Sequence, residues 1–152
     1  MGCLMISSIQ LNGQVDHAHD HHRHHHELGV ANAPVYFLKE KTVSYGLHFH
    51  YVYTIDHSKF GLGLGYERIF DEHKHHTIGL VGNYRPTDEL SINVSPGITF
   101  EAAESSTINF AIHFEASYEF ALGNLHIGPV AEIAYDPEDI HISLGLHLGW
   151  GF

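Results

Sequence analysis

From residue 140 to the end, large apolar residues occupy every second position: Ile140, Ile142, Leu144, Leu146, Leu148, Trp150 and Phe152. His141, Ser143, Gly145, His147, Gly149 and Gly151 lie between them. A period of two is the mark of a β-strand, whose side chains point alternately to opposite faces. The same alternation recurs upstream and predicts eight strands, at 27–38, 43–55, 60–70, 77–86, 90–101, 107–121, 124–136 and 140–152. The connections are short: KEKT, DHSK, DEHKHH, TDE, AAESS, Leu122–Gly123 and PED. Successive strands with short turns predict an antiparallel up-and-down meander. Eight such strands can close on themselves, which removes the unpaired edges.

Nearly every segment sets one apolar face against one small or polar face. In 43–55 the apolar set is Val43, Tyr45, Leu47, Phe49, Tyr51, Tyr53 and Ile55. The other face, along the chain, is built from Gly, Ser, Ala, Asn, His and Glu and nearly lacks Lys, unlike a strand face bathed in water. Aromatics fall near segment ends (Tyr53, Phe60, Phe100, Phe120, Tyr135, Trp150), where a membrane barrel carries its interfacial girdles. The apolar face is therefore expected to meet lipid and the polar face to line the barrel. The reverse orientation, a soluble barrel holding an apolar ligand, stands as an alternative. Pro34, Pro96 and Pro129 fall inside strands, where each deletes a ladder donor, so bulges or segment ends are expected there.

Composition narrows the function. Lys and Arg total 7 against 18 acidic residues and 17 His, for a formal charge of −11. Nucleic-acid binding, which wants a basic surface, is excluded. No apolar run approaches the ~20 residues of a spanning helix, which leaves spanning by strands open. The single cysteine, Cys3, allows no intrachain disulfide. Residues 1–14 read as the remnant of a secretory signal, or as a short leader. Residues 15–26, VDHAHDHHRHHH, have no apolar period and are expected to be disordered without a ligand. Residues 27–152 form the barrel domain.

The ending Leu144-x-Leu146-x-Leu148-x-Trp150-x-Phe152 resembles the C-terminal assembly signal of bacterial outer-membrane β-barrels. Size and strand number are similar to the small eight-stranded members, and the resemblance covers 27–152. It implies an all-β fold, a closed eight-stranded antiparallel transmembrane barrel in a bacterial outer membrane. It also implies recognition of the last strand by the barrel-assembly machinery and a lipid bilayer as partner, and a monomer is expected. Both the N-terminal tail and the C-terminus would be periplasmic. Loops short on both sides and a His-rich leader depart from the members with long outer loops, so no adhesin role is implied.

Three groups of residues carry candidate chemistry. The tail offers His17, His19, His21, His22, His24, His25 and His26, with Asp16 and Asp20. Neutral imidazole binds Zn, Cu and Ni well. The spacing fits no defined zinc fold, so adaptable sites are expected. A solvated linker and an engineered tag are the plainer alternatives. The loop DEHKHH adds His73, His75 and His76, as metal ligands or as a charged, solvated turn. Parity turns His48, His50, Glu67, Arg85, His113, Glu115, Glu119, His126, Glu132, His141 and His147 inward. Side chains fill an eight-stranded barrel, so a hydrogen-bonded polar plug is expected. Arg85 needs a carboxylate there, with Glu67, Glu115 and Glu119 as candidates. A sharper alternative is an internal metal or proton site from His48, His50, His113 and Glu115. His141-x-Ser143 resembles the His-x-Ser pair of an eight-stranded lipid A deacylase family, but parity turns both residues away from lipid. The function expected is a non-enzymatic outer-membrane barrel with a plugged polar lumen that binds divalent metal through its tail. A lipid-modifying hydrolase using His141 and Ser143 is the alternative from another class.

Overall fold

The structure, a computed structural model, describes residues 24–72, 74–101 and 108–152. Nine strand segments follow one another: β1 (His26–Phe37), β2 (Val43–Thr54), β3 (Phe60–Phe70), β4 (His75–Tyr84), β5 (Leu90–Glu101), β6 (Ile108–Tyr118), β7 (Phe120–Leu122), β8 (Leu125–Tyr135) and β9 (Ile140–Gly151). All pairings are antiparallel. β6 and β7 meet β8 in one unbroken register, Ser117 opposite Val130 and Phe120 opposite Ile127, so they act as a single wall strand. The β6–β8 pairing at one side and β1–β9 at the other complete a closed eight-stranded barrel.

The pairings also fix how the wall spirals. From His26 the register passes through Tyr53, Leu62, Gly82, Val94, Phe114, Ile133 and Ile142 and returns to β1 at Tyr36. One circuit thus climbs ten residues along the first strand, from 26 to 36. That stagger tilts the strands and sets how side chains stack inside.

The orientation is the membrane one. Leu146 and Leu148 are 45% and 42% exposed, whereas His147 between them is 1% exposed. The outer wall carries Leu62, Leu64, Leu80, Phe110, Leu144 and their neighbours as one exposed apolar belt. The interior holds His, Glu, Asn, Ser and Thr. This overturns the soluble-barrel alternative, since the centre has no apolar chamber and the apolar surface faces out. A small apolar cluster of Val35, Phe37 and Ile69 does lie inside, near the end opposite the termini. Outward aromatics gather at both rims: Tyr53, Phe60, Tyr84, Tyr118, Phe120 and Trp150 at the terminus end, and Tyr36, Tyr45, Phe70, Phe110 and Tyr135 at the other.

The strand prolines do not insert residues. The β1–β9 ladder lacks pairs at Ala33 and Pro34, yet Asn32 opposite Leu146 and Val35 opposite Ser143 keep the same register. The β4–β5 ladder is likewise interrupted beside Pro96 with no slip between Gly79–Gly97 and Gly82–Val94. Pro129 faces the break that divides β6 from β7. Each proline withholds one donor on one side, and the backbones there close up instead of bulging. A Cβ on Gly145 would lie 2.1 Å from the Asn32 carbonyl oxygen, and one on Gly128 1.7 Å from that of Tyr118. Only glycine permits such approach.

Several boundaries differ from the sequence reading: β1 starts at His26, within the tail expected to be disordered, β4 stops at Tyr84, short of Arg85 and Pro86, and two further differences move turn residues. β4 begins at His75, so His75 and His76 belong to the wall and not to the turn before it. Leu122 pairs with Leu125, which leaves Gly123–Asn124 as the turn, with Gly123 at φ 69°. A two-residue hairpin needs positive φ, and glycine adopts it without strain.

Candidate functional site

The lumen is layered. At the terminus end Arg85, just beyond β4, reaches across the barrel to two carboxylates. Its Nη2 donates to Glu27 Oε2 at 2.6 Å and its Nη1 to Glu119 Oε2 at 2.9 Å. Ser117 donates to Glu119 Oε1 at 2.6 Å, and His126 Nδ1 lies 3.5 Å from Glu119 Oε2. Glu119 was among the partners expected for Arg85. Glu27 was missed because it stood at the first residue of the predicted strand, although it shares the parity of Gly29 and Ala31.

Above this, His50 and His147 stack with centroids 5.2 Å apart and planes within 7°. Gly29 makes room for the pair, since a Cβ there would lie 2.2 Å from His50 Nε2 and 2.7 Å from His147 Nε2. A polar string beside them runs Asn83 to Ser91 at 2.8 Å, Asn83 to Asn93 at 2.7 Å, and Asn93 to Glu115 Oε1 at 2.8 Å.

The middle of the barrel holds the densest chemistry. His48 Nδ1 lies 3.1 Å from Glu132 Oε2 and 3.2 Å from Glu115 Oε2. His113 Nδ1 lies 3.5 Å from Glu132 Oε1 and 3.7 Å from Glu67 Oε2. His141 Nε2 lies 3.9 Å from the same Glu67 oxygen. All six residues are buried. Neither ring nitrogen of His113 or of His141 makes a hydrogen bond, nor does Glu67 Oε2 or Glu115 Oε2. Buried polar atoms in folded proteins are nearly always satisfied, so such a concentration asks for protons, water or a ligand between these atoms. One ligand atom each from Glu67, His113, Glu132 and His141 fall within 4.8 Å of one another, and the same holds for His48, Glu115 and Glu132. Two further groups, Glu27–His50–His147 and Glu27–Glu119–His126, lie toward the terminus end.

The histidines expected to bind metal outside the lumen are placed differently. His17, His19, His21, His22 and His73 lie outside the described residues. His24 packs over Gly151. His25 Nδ1 sits 3.0 Å from Asp56, and His26 Nδ1 shares a 2.7 Å hydrogen bond with Tyr51 while its ring stacks on Phe152. His75 Nδ1 bonds Asp71 at 2.5 Å, and His76 Nδ1 bonds the Tyr66 hydroxyl at 2.7 Å. Among the described residues, every group of three or more potential ligands is in the lumen and none includes these five. His141 and Ser143 share the inward face, with Ile142 and Leu144 turned outward beside them.

Beyond the middle layer the lumen turns apolar. Phe37 stands between His141 and His75, with ring centroids 5.3 and 5.8 Å away. Asp71 belongs to this outer rim. Burial alone would raise its carboxyl, but the hydrogen bonds and charge of His75 outweigh that and hold it below the usual range.

No protein-family model matches the chain, and no curated protein matches it in sequence. Solved structures do match in fold. Neisserial surface protein A superposes with a TM-score of 0.60 at 13% identity, covering 84% of this chain and 96% of that one. The N-terminal β-barrel domain of Pseudomonas aeruginosa OprF gives 0.59 at 15% identity, over 83% and 97%. The Yersinia pestis outer membrane protein Ail gives 0.56 at 11% identity, over 83% and 99%. The fold of this chain is that of the small eight-stranded transmembrane barrels.

Proposed function

We propose that this chain is a non-enzymatic barrel of a bacterial outer membrane that binds a divalent transition metal, Zn, Cu or Ni, within its lumen. The His-rich segment 15–26 would be a second, looser store of ligands on the periplasmic side. The carrying observation is the group Glu67, His113, Glu132 and His141: four buried ligand side chains with the imidazole nitrogens left without hydrogen bonds. Two imidazoles and two carboxylates suit a tetrahedral dication, and neutral imidazole is the favoured nitrogen donor. The inward placement of His141 and Ser143 speaks against lipid hydrolysis, because a bilayer ester meets Ile142 and Leu144 instead.

The test is the full chain refolded in detergent with zinc and then exposed briefly to a chelator. Zinc on exposed tail residues is stripped at once, whereas enclosed zinc leaves slowly. Wild type should retain zinc, and His113→Ala combined with His141→Ala should lose it while keeping the β circular-dichroism signal. Retention unchanged in the double variant overturns the reading.

A further inference from the structure

The middle of the lumen is short of positive charge. Among the described residues the buried carboxylates of the strand wall are Glu27, Glu67, Glu115, Glu119 and Glu132, and Arg85 is the single buried Arg or Lys. Arg85 is taken by Glu27 and Glu119. Glu67, Glu115 and Glu132 are left crowded around His48, His113 and His141. Buried carboxylates without counter-charge are expensive, so this layer calls for cations or protons.

Glu132 is the pivot. Its two oxygens face different ligand groups: Oε2 looks toward His48 and Glu115, and Oε1 toward His113, with Glu67 and His141 beyond. We infer that the lumen holds a pair of divalent cations bridged by the Glu132 carboxylate, one on Glu67, His113 and His141, the other on His48 and Glu115. This rests on the metal-binding reading above and adds a second ion and its bridge.

The spacing fits. Donors about 2 Å from a tetrahedral ion stand roughly 3.3 Å from one another; the His–carboxylate contacts in the two groups run from 3.1 to 3.9 Å, and all the donors of each group lie within 4.8 Å of one another. Two voids of about 10 Å³ adjoin the layer. One is bounded by His48, Glu67, Glu115 and Glu132, the other by His48, Glu67 and His113. Each has room for about one water-sized body. The outer shell is in place as well, because Asn93 donates to Glu115 Oε1 and leaves Oε2 facing His48. Two dications against three carboxylates leave a single excess charge. Binding takes the place of the proton between His48 Nδ1 and Glu132 Oε2, which moves to Nε2 of a neutral ring or leaves to solvent from a cationic one.

The count of retained metal decides the matter. Full-length protein is refolded with zinc, treated briefly with chelator and assayed for metal per chain by mass spectrometry. About two ions per wild-type chain, about one in Glu115→Gln and none in Glu132→Gln support the bridged pair. About one ion in wild type overturns the pair and leaves the metal-binding reading standing. No retained ion overturns both. Two ions retained in Glu132→Gln overturn the bridge. Where Glu132→Gln does not fold, wild type loaded with Cu(II) supplies the answer. A half-field electron-paramagnetic-resonance line from coupled ions is expected, and a spectrum of isolated ions alone overturns the pair.

Discussion

Arg85 divides its guanidinium between Glu27 and Glu119, neither of which lies on a strand next to β4. It is a cross-brace from one side of the barrel to the other. Removing it leaves two buried carboxylates with only histidines beside them, and breaking a buried pair costs about 3–5 kcal/mol. Arg85→Leu should therefore lower the unfolding free energy of the barrel in lipid vesicles by that order, read from urea titration. Adding Glu119→Gln should restore part of the loss, because one orphaned charge is then gone. The need for a partner was legible from a lone cation inside a predicted strand. The choice of Glu27 was not, because it depends on the spiral of the wall, and no single strand's alternation reveals that. The bare nitrogens of His113 and His141 are of the same kind. Parity turned them inward, but their meeting with Glu67 and Glu132 comes from four different strands.

At the scale of elements, alternation was enough to place the strands, because most inward residues are small or polar and most outward ones apolar, with Phe37 and Ile69 inside and Arg68 outside as exceptions, and the bilayer outside is the physical reason. Where a second rule competed, the reading slipped. Proline suggested bulges or segment ends; at Pro34 and Pro96 neither occurs and the register survives, whereas Pro129 does face the end of β6. The polar run DEHKHH suggested a turn, whereas His75 and His76 continue the strand. The turn before them is tied by Asp71, whose carboxylate accepts from the His75 backbone amide at 3.2 Å as well as facing its ring. Because the Asp71 pKa is depressed in the folded protein, its tether contributes fully above the unfolded carboxyl value. The contribution is lost as pH falls through the lower folded value. Hydrogen-exchange protection of the His75 amide should drop on acidification through that window. In Asp71→Asn it should be reduced already at neutral pH. Asp139 ties the opposite loop pair in a related way, accepting from the amides of Lys39 at 2.9 Å and Ile140 at 2.6 Å.

For the whole molecule the decisive fact is which face meets what. Leu144, 69% exposed near the middle of β9, belongs to the outer belt. Leu144→Arg should destabilise the barrel in a bilayer by about 2–4 kcal/mol, as measured by reversible unfolding from vesicles, with a smaller effect in detergent. The outward apolar set and the polar lumen were legible together, since only a lipid environment rewards that inversion. Function was less so. The sequence drew attention to the tail, where histidines are dense along the chain, while folding brings ligands together in the lumen from strands far apart in number. Phe37 stands at one end of that column and Arg85 spans the other, so an ion bound between them, as proposed, would exchange slowly.

The wall also has one junction unlike the rest. Every other neighbouring pair is tethered by chain running directly from one strand to the next, but β1 and β9 meet without a connecting chain, through their ladder, the amide bonds that His26 and Phe152 exchange at its foot, and the Asp139 carboxylate on the Lys39 amide at its head. That ladder is thinned at Ala33 and Pro34, beside Ser143, which borders the void at Glu115 and Glu132. Sideways breathing of the cylinder meets no covalent resistance along this seam, and an ion bound as proposed would then leave through the flank instead of the mouth.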